Sequence, residues 1–421
     1  MDHFLYKNNT LYAEDVSIEN ITNSTPTPFY CYSTATLERH YNVFANSFKE
    51  YGIEVNICFA IKSNSNLAVI KTLANMGAGG DAVSIGELKR CLAAGIPANK
   101  IVFSGVGKTR EELEFAIENN IMQINVESLP ELHALNEISI SLGKKAKIAL
   151  RVNPDIAAGS HDKISTGRKH DKFGIEWERA ISVYKTAANM QGIEIRGVAT
   201  HIGSQLTNLT PFKQAFAKIK ELVLSLRKEG INIRHLDLGG GLGIPYKDSQ
   251  IPSPLEYAKM ATEETNHLGC SLTFEPGRLI CGNAGILVTK VIYIKETSER
   301  NFLIVDAAMN DLVRPTLYEA YHEIIPVRIK ENSSKTVLYD IVGPVCETGD
   351  IFARQRSLPE LSEGDLIAIR SAGAYGAVMS SEYNTRPLIP EVMVNGNKTA
   401  IIRQRPSYNE ILARDIIPTW L

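Results

Sequence analysis

The sequence predicts an α/β protein: a (β/α)8 barrel of parallel strands joined to a second, mainly antiparallel β domain. Three observations carry this. Eight short apolar runs in the first two-thirds of the chain each end in a polar or glycine-rich knot. Between them lie segments whose apolar residues recur at three- and four-residue spacing, the helical period. After Gly282 the texture turns β-rich, with no crossover helices. Strand followed by helix, repeated, implies parallel strands. Knots at nearly every strand end favour a barrel over an open doubly wound sheet, which gathers its site at one switch point.

Taken in order, residues 1–34 read as short strands and turns, Thr10–Ala13 and Pro26–Tyr32. They are strand-like and precede the first barrel strand, so they are expected to pair into the second domain. A helix follows over about Thr34–Phe48. The expected barrel strands are Val55–Ile61, Gly80–Val83, Lys100–Ser104, Ile121–Val126, Lys147–Val152, Glu194–Thr200, His235–Leu238 and Ser271–Phe274. Helical patterns between them include Leu67–Met76, Ser84–Ala94, Arg110–Glu118, Leu129–Leu142 and Pro211–Lys228. Ala157–Asp171, polar and weakly periodic, reads as a mobile loop over the barrel mouth. The barrel is thus expected over residues 35–281. The β domain takes 282–421 with the N-terminal segment, through strands near Gly285–Lys295, Phe302–Met309, Val337–Val342 and Leu366–Ser371. A hairpin at Val392–Arg403 is signalled by Asn395-Gly396.

Composition narrows the function. The formal net charge is −2, with no basic tract or acidic tail, so nucleic acid and anionic membrane are poor partners. The N-terminus lacks the regions of a signal peptide, and no apolar run is long enough to span a bilayer. Six scattered cysteines without a CxxC pair argue against a zinc site or a disulfide framework and fit a reducing cytoplasm.

The strand-end knots carry the chemistry, because barrel sites form at the C-terminal ends of the strands. Lys62 directly follows the first apolar run. A lysine placed there is suited to imine chemistry, although most lysines are simply surface residues. Gly239-Gly240-Gly241-Leu242-Gly243 follows the seventh strand, where barrels frequently bind phosphate and where glycine N–H groups can approach closely. Glu275 ends the eighth strand. A buried acid needs a partner: a protonated pyridine nitrogen, or Arg278 in a plain salt bridge. His201 and Ser204 close the sixth strand, where a ring could stack on a flat cofactor and a hydroxyl could meet phosphate. Asp81 and Arg151 end strands two and five. Each reads either as half of a structural ion pair or as an orienting group for the lysine and the cofactor.

Taken together, these residues resemble the fold-type III pyridoxal-phosphate decarboxylases, most closely the branch acting on diaminopimelate. The matching segments run nearly the whole length. They are Phe59-Ala60-Ile61-Lys62-Ser63-Asn64, Asp81 to Glu87, Lys163 to Gly167 with Lys172-Phe173-Gly174, His201 to Gln205, the glycine tract, Glu275 to Arg278, Gly343 to Glu347, and Gly373-Ala374-Tyr375-Gly376. The resemblance implies pyridoxal 5'-phosphate as cofactor, attached at Lys62 and stacked on by His201. It implies Ser204, Gly240, Gly241, Glu275, Gly277 and Arg278 as cofactor contacts, with Tyr375 at the phosphate. Arg278, Arg314 and Tyr318 would hold the distal end of meso-diaminopimelate, assisted by Tyr375. Cys346, as proton donor, and Glu347 would enter from the partner subunit of a homodimer. One departure is Ser63, where the family usually has alanine.

The chemistry agrees with that branch. The substrate carries an amino acid group at each end, and arginines suit a distal carboxylate while Glu347 suits the ammonium. A decarboxylase of another basic amino acid, such as ornithine, has no use for two such arginines. A racemase on this barrel usually offers arginine, not Glu275, to the pyridine nitrogen. A non-catalytic carrier of this fold would stop at the barrel.

Overall fold

The computed structural model describes residues 2–157, 166–168, 170–247, 250–330 and 335–421. Most of the expected loop Ala157–Asp171, and part of the Lys163–Gly167 motif, therefore lie outside the described residues. The chain divides into two units: Glu38–Pro245 with Ser249–Ile280, and Met1–Leu37 with Tyr246–Asp248 and Cys281–Leu421.

The first unit is a closed barrel. Its strands are Val55–Ala60, Gly79–Ala82, Ile101–Phe103, Gln123–Val126, Ala146–Asn153, Ile193–Ala199, His235–Asp237 and Ser271–Phe274. Each pairs in parallel with the next along the chain, and the eighth returns to the first with Leu272 opposite Val55. The helices between them start at polar caps. Ser84 accepts from the Glu87 N–H, and Thr109 and Ser253 form capping boxes with Glu112 and Glu256, each worth about 1 kcal/mol. Helix Thr210–Lys228 turns Phe212, Ala215, Phe216, Ile219 and Leu222 inward at helical spacing. Phe44, Phe48, Tyr257 and Phe274 pack ring on ring between helices and the eighth strand. That fixes which face of the strand looks out.

The second unit is a mixed sheet. Phe29–Ser33, buried at every residue, lies between Gly285–Glu296 (antiparallel) and Glu391–Asn395 (parallel). Asn301–Val305, Thr336–Val342 and Ile351–Pro359 extend the sheet on one side, and Lys398–Arg403 on the other. Three details differ from the sequence reading. First, the earliest N-terminal strands, Phe4–Lys7, Thr10–Ala13 and Val16–Ser17, form a small sheet that joins the second unit as expected, but through a bridge between Thr10 and Arg328 rather than within the main sheet. Second, Ile18–Ser24 is a helix: Ser17 caps it, and Ile18 and Ile21 bury into a core with Phe4, Phe29 and Val392. The short Ile18/Ile21 spacing concealed it. Third, the hairpin turns one residue later than its signal, because Asn395 pairs with Lys398 and Gly396 takes the first central position with φ 58°.

Candidate active site

Strand Val55–Ala60 runs directly into a tight turn, Ile61–Ser63, whose flanking residues are buried while Lys62 reaches outward. The Lys62 Nζ lies 2.5 Å from Asp81 Oδ2. Asp81 stands opposite Ala60 on the neighbouring strand and is fully buried. Its other oxygen, Oδ1, is a buried acceptor without a partner among the described residues.

Because Phe274 faces the aromatic cluster, strand alternation turns Thr273 and Glu275 into the barrel. The Glu275 N–H donates to the Gly239 carbonyl at 2.8 Å, tying the eighth strand end to the glycine tract. Asn125 Nδ2 reaches Glu275 Oε1 at 3.5 Å and Asp237 Oδ2 at 3.0 Å. Burial first, and then the negative charges of Asp237 and Asp81, hold the Glu275 carboxyl well above the usual range, with Lys62 opposing. Burial likewise raises Asp237. A cavity of about 400 Å³ is lined by Lys62, Asn125, Arg151, His201, Asp237 and Glu275, among others.

The glycine tract packs tightly against the neighbouring strand ends. A Cβ on Gly240 would sit 2.2 Å from the Glu275 carbonyl oxygen, and one on Gly241 (φ 110°) 2.4 Å from that of Gly203. The N–H of Gly240, read from sequence as a cofactor contact, donates to His201 Nδ1 at 3.1 Å. Burial, then Arg151 and Lys62, push the His201 pKa well below its ordinary value. The neutral ring, accepting at Nδ1, carries its proton on Nε2. Ser204 Oγ accepts from the Arg278 guanidinium at 3.1 Å, which joins the sixth and eighth strand ends. A Cβ on Gly277 would press at 3.0 Å on the Ser63 side chain, so this glycine lets the lysine turn close against the eighth strand.

Arg151 forms an ion pair with Glu127 at 3.0 Å and lies 4.8 Å over the Phe173 ring. Glu127 also accepts the N–H groups of Gly105 (2.8 Å) and Gly174 (3.1 Å), so one carboxylate braces three strand-end loops. The sequence reading missed Glu127, Gln123, Asn125 and Asp237. Their signal was present: Gln123, Asn125 and Asp237 are polar residues inside otherwise apolar strands, where alternation aims them inward.

The second unit holds the remaining candidates. Arg314 is buried at the start of helix Arg314–Tyr318, 2.8 Å from His322 Nε2 and 4.7 Å over the Tyr246 ring. Tyr318 closes the same helix, four residues on. Cys346 and Glu347 are exposed on a turn. Buried Asp350, also missed from sequence, shapes that turn by accepting from the Val345 N–H at 2.8 Å. A Cβ on Gly343 would meet the Asp350 carboxylate at 2.4 Å. Tyr375 is half-buried with φ 55°, unusual for a bulky residue.

Pyridoxal phosphate fits the barrel site. The cavity offers an amine to hold an aldehyde and a buried acid for a ring nitrogen, and beside the amine Asp81 Oδ1 is a buried acceptor without a partner among the described residues. Comparisons with known proteins agree. Residues 34–282 match the pyridoxal binding domain of the pyridoxal-dependent decarboxylases. The chain is 51% identical to a diaminopimelate decarboxylase of Vibrio cholerae, over 99% of each chain. Diaminopimelate decarboxylase from M. jannaschii, solved with L-lysine, superimposes with a TM-score of 0.95 at 38% identity, covering 100% of this chain and 99% of that one. The Helicobacter pylori enzyme, also solved with L-lysine, gives 0.91 at 40% identity, covering 94% of this chain and 98% of that one. Barrel, lysine turn and full-length similarity lead to one conclusion: the chain belongs to the pyridoxal-dependent decarboxylases, in their diaminopimelate decarboxylase family.

Proposed function

We propose that this chain converts meso-2,6-diaminopimelate to L-lysine and carbon dioxide, the last step of lysine biosynthesis. The observation that carries the reading is a cavity presenting the Lys62 amine and the buried acid Glu275, in a chain similar end to end to relatives bearing that activity. Structures of two such relatives hold L-lysine, the product.

When bound, pyridoxal phosphate supplies an electron sink for the carbanion left by departing carbon dioxide. This chain's residues do the rest. Lys62 would hold the cofactor through its amine, which Asp81 fixes in place. Glu275 keeps a positive charge on the ring nitrogen. His201 covers the ring face. Ser204, Gly241 and the Glu275–Arg278 turn would hold the cofactor, with Tyr375 reaching its phosphate. Arg278, Arg314, Tyr318 and Glu347 bind the distal amino acid group, a bidentate-capable set suited to a carboxylate and an ammonium. Fixing that end orients the bond to be broken, and orientation alone can supply roughly 7–11 kcal/mol. Cys346 delivers the proton that replaces the lost carboxylate.

Cys346 and Glu347 act in this reading from the partner subunit of a homodimer, which their exposure supports. We place the enzyme in the cytoplasm; its six cysteines are free thiols. No helix among the described residues is long and apolar enough to cross a membrane. The test is incubation with meso-diaminopimelate and pyridoxal phosphate. Equimolar L-lysine and carbon dioxide are expected. A racemised substrate without carbon dioxide would overturn the reading.

A further inference from the structure

Three buried carboxyl groups, Asp81, Asp237 and Glu275, lie together near the Lys62 ammonium at the barrel mouth. Asp81 takes that ammonium directly. The other two are left facing each other, bridged by Asn125, whose amide reaches both at 3.0 and 3.5 Å. Their surroundings are unequal. Asp237 accepts from Asn125, from Gln123 at 3.3 Å and from the Gly239 N–H at 3.1 Å. Among the described residues the Glu275 side chain has the long contact from Asn125 and otherwise meets Asp237 itself. The first strand adds the buried thiol of Cys58 to this group, and the Arg151 guanidinium, paired with Glu127, lines the same cavity. Donors stabilise a carboxylate, and two adjacent carboxylates in a buried site do not both ionise. The proton therefore belongs on Glu275, donated toward Asp237.

We propose that Asp237 is a positioning residue for Glu275: the pair shares one proton in the cofactor-free barrel, and Glu275 delivers it to the ring nitrogen when the cofactor binds. The proton leaves a Glu275 oxygen and stays on the nitrogen. Glu275 remains as a carboxylate beside the new cation, and Asp237 as a carboxylate held by its three donors. The protein thus stores in advance the proton that makes the ring an electron sink. This rests on the assignment of Glu275 to the ring nitrogen.

Infrared spectroscopy of the full-length chain, stripped of cofactor, tests it without measuring activity. A protonated-carboxyl band sensitive to deuterium exchange is expected at neutral pH and is expected to vanish on adding pyridoxal phosphate. In Asp237→Asn and, independently, in Glu275→Gln, the remaining carboxyl should ionise at a pH lower by more than one unit. Absence of the band from the cofactor-free wild type, or an unchanged midpoint in both variants, overturns the shared proton. A band that is present but survives cofactor binding instead removes Glu275 from the ring nitrogen and leaves the shared proton standing.

Discussion

Lys62 Nζ and Asp81 Oδ2 lie 2.5 Å apart across the ends of two adjacent parallel strands. The contact is built by the backbone. Parallel register sets Ala60 against Asp81, and the turn Ile61–Ser63 swings the next side chain back over that carboxylate. Asp81→Asn keeps the shape and removes the charge. It should lower kcat/KM about 10–100-fold, the usual cost of a lost charged hydrogen bond in a buried site, with little change in melting temperature. Steady-state kinetics beside thermal unfolding check this.

The glycine tract gives a steric prediction. A methyl at Gly240 would meet the backbone carbonyl of Glu275, which cannot swing aside. Gly240→Ala should destabilise by about 3 kcal/mol or more and weaken cofactor binding. Gly86→Ala is the contrast, since its Cβ would meet only Ser84 Oγ at 3.6 Å, in helix Ile85–Ala93. It should be neutral or stabilising by up to about 1 kcal/mol. Denaturant midpoints of the two variants separate the cases.

His235 lies at the opposite end of the barrel, at the start of the seventh strand, with Nδ1 2.8 Å from Ser271 Oγ and Nε2 buried without a partner among the described residues. Burial, and then Arg196, lower its pKa from 6.5 to about 4. The unfolded chain therefore takes up this proton before the folded one does. The stability is complete above about pH 6.5 and is lost as pH falls toward 4. His235→Asn should flatten that part of the stability–pH curve by on the order of 2 kcal/mol, allowing for partial exposure, and leave turnover intact. A curve as steep as wild type would contradict it.

Shared sites in a homodimer make a mixing prediction. Lys62→Ala and Cys346→Ala should each be nearly inactive. Unfolded and refolded together, they should recover roughly a quarter of wild-type activity, because half the dimers are mixed and each restores one site. No recovery would place Cys346 and Lys62 of one site on the same chain.

Much of this was legible in the sequence, for a physical reason. Lys62, Asp81 and Glu275 end short apolar runs, and a barrel puts every strand end at one mouth, so position along the chain is position in the site. The support beneath them was less legible. Asn125 meets Asp237 112 residues away, and Glu127 braces loops 22 and 47 residues distant. Such pairings depend on which strands become neighbours across the barrel, which no local spacing states. Helix Ile18–Ser24 was hidden for the opposite reason: seven residues are too few for a period to show, and its stability comes from a capping serine and two buried isoleucines.

The most direct measurement is where the cofactor attaches. The loaded chain is reduced with borohydride, digested and mapped by mass spectrometry. The added phosphopyridoxyl mass is expected on Lys62, with the visible band of the bound cofactor absent from Lys62→Ala. Attachment at another lysine, or full turnover by Lys62→Ala, would contradict an active site built at the end of the first barrel strand.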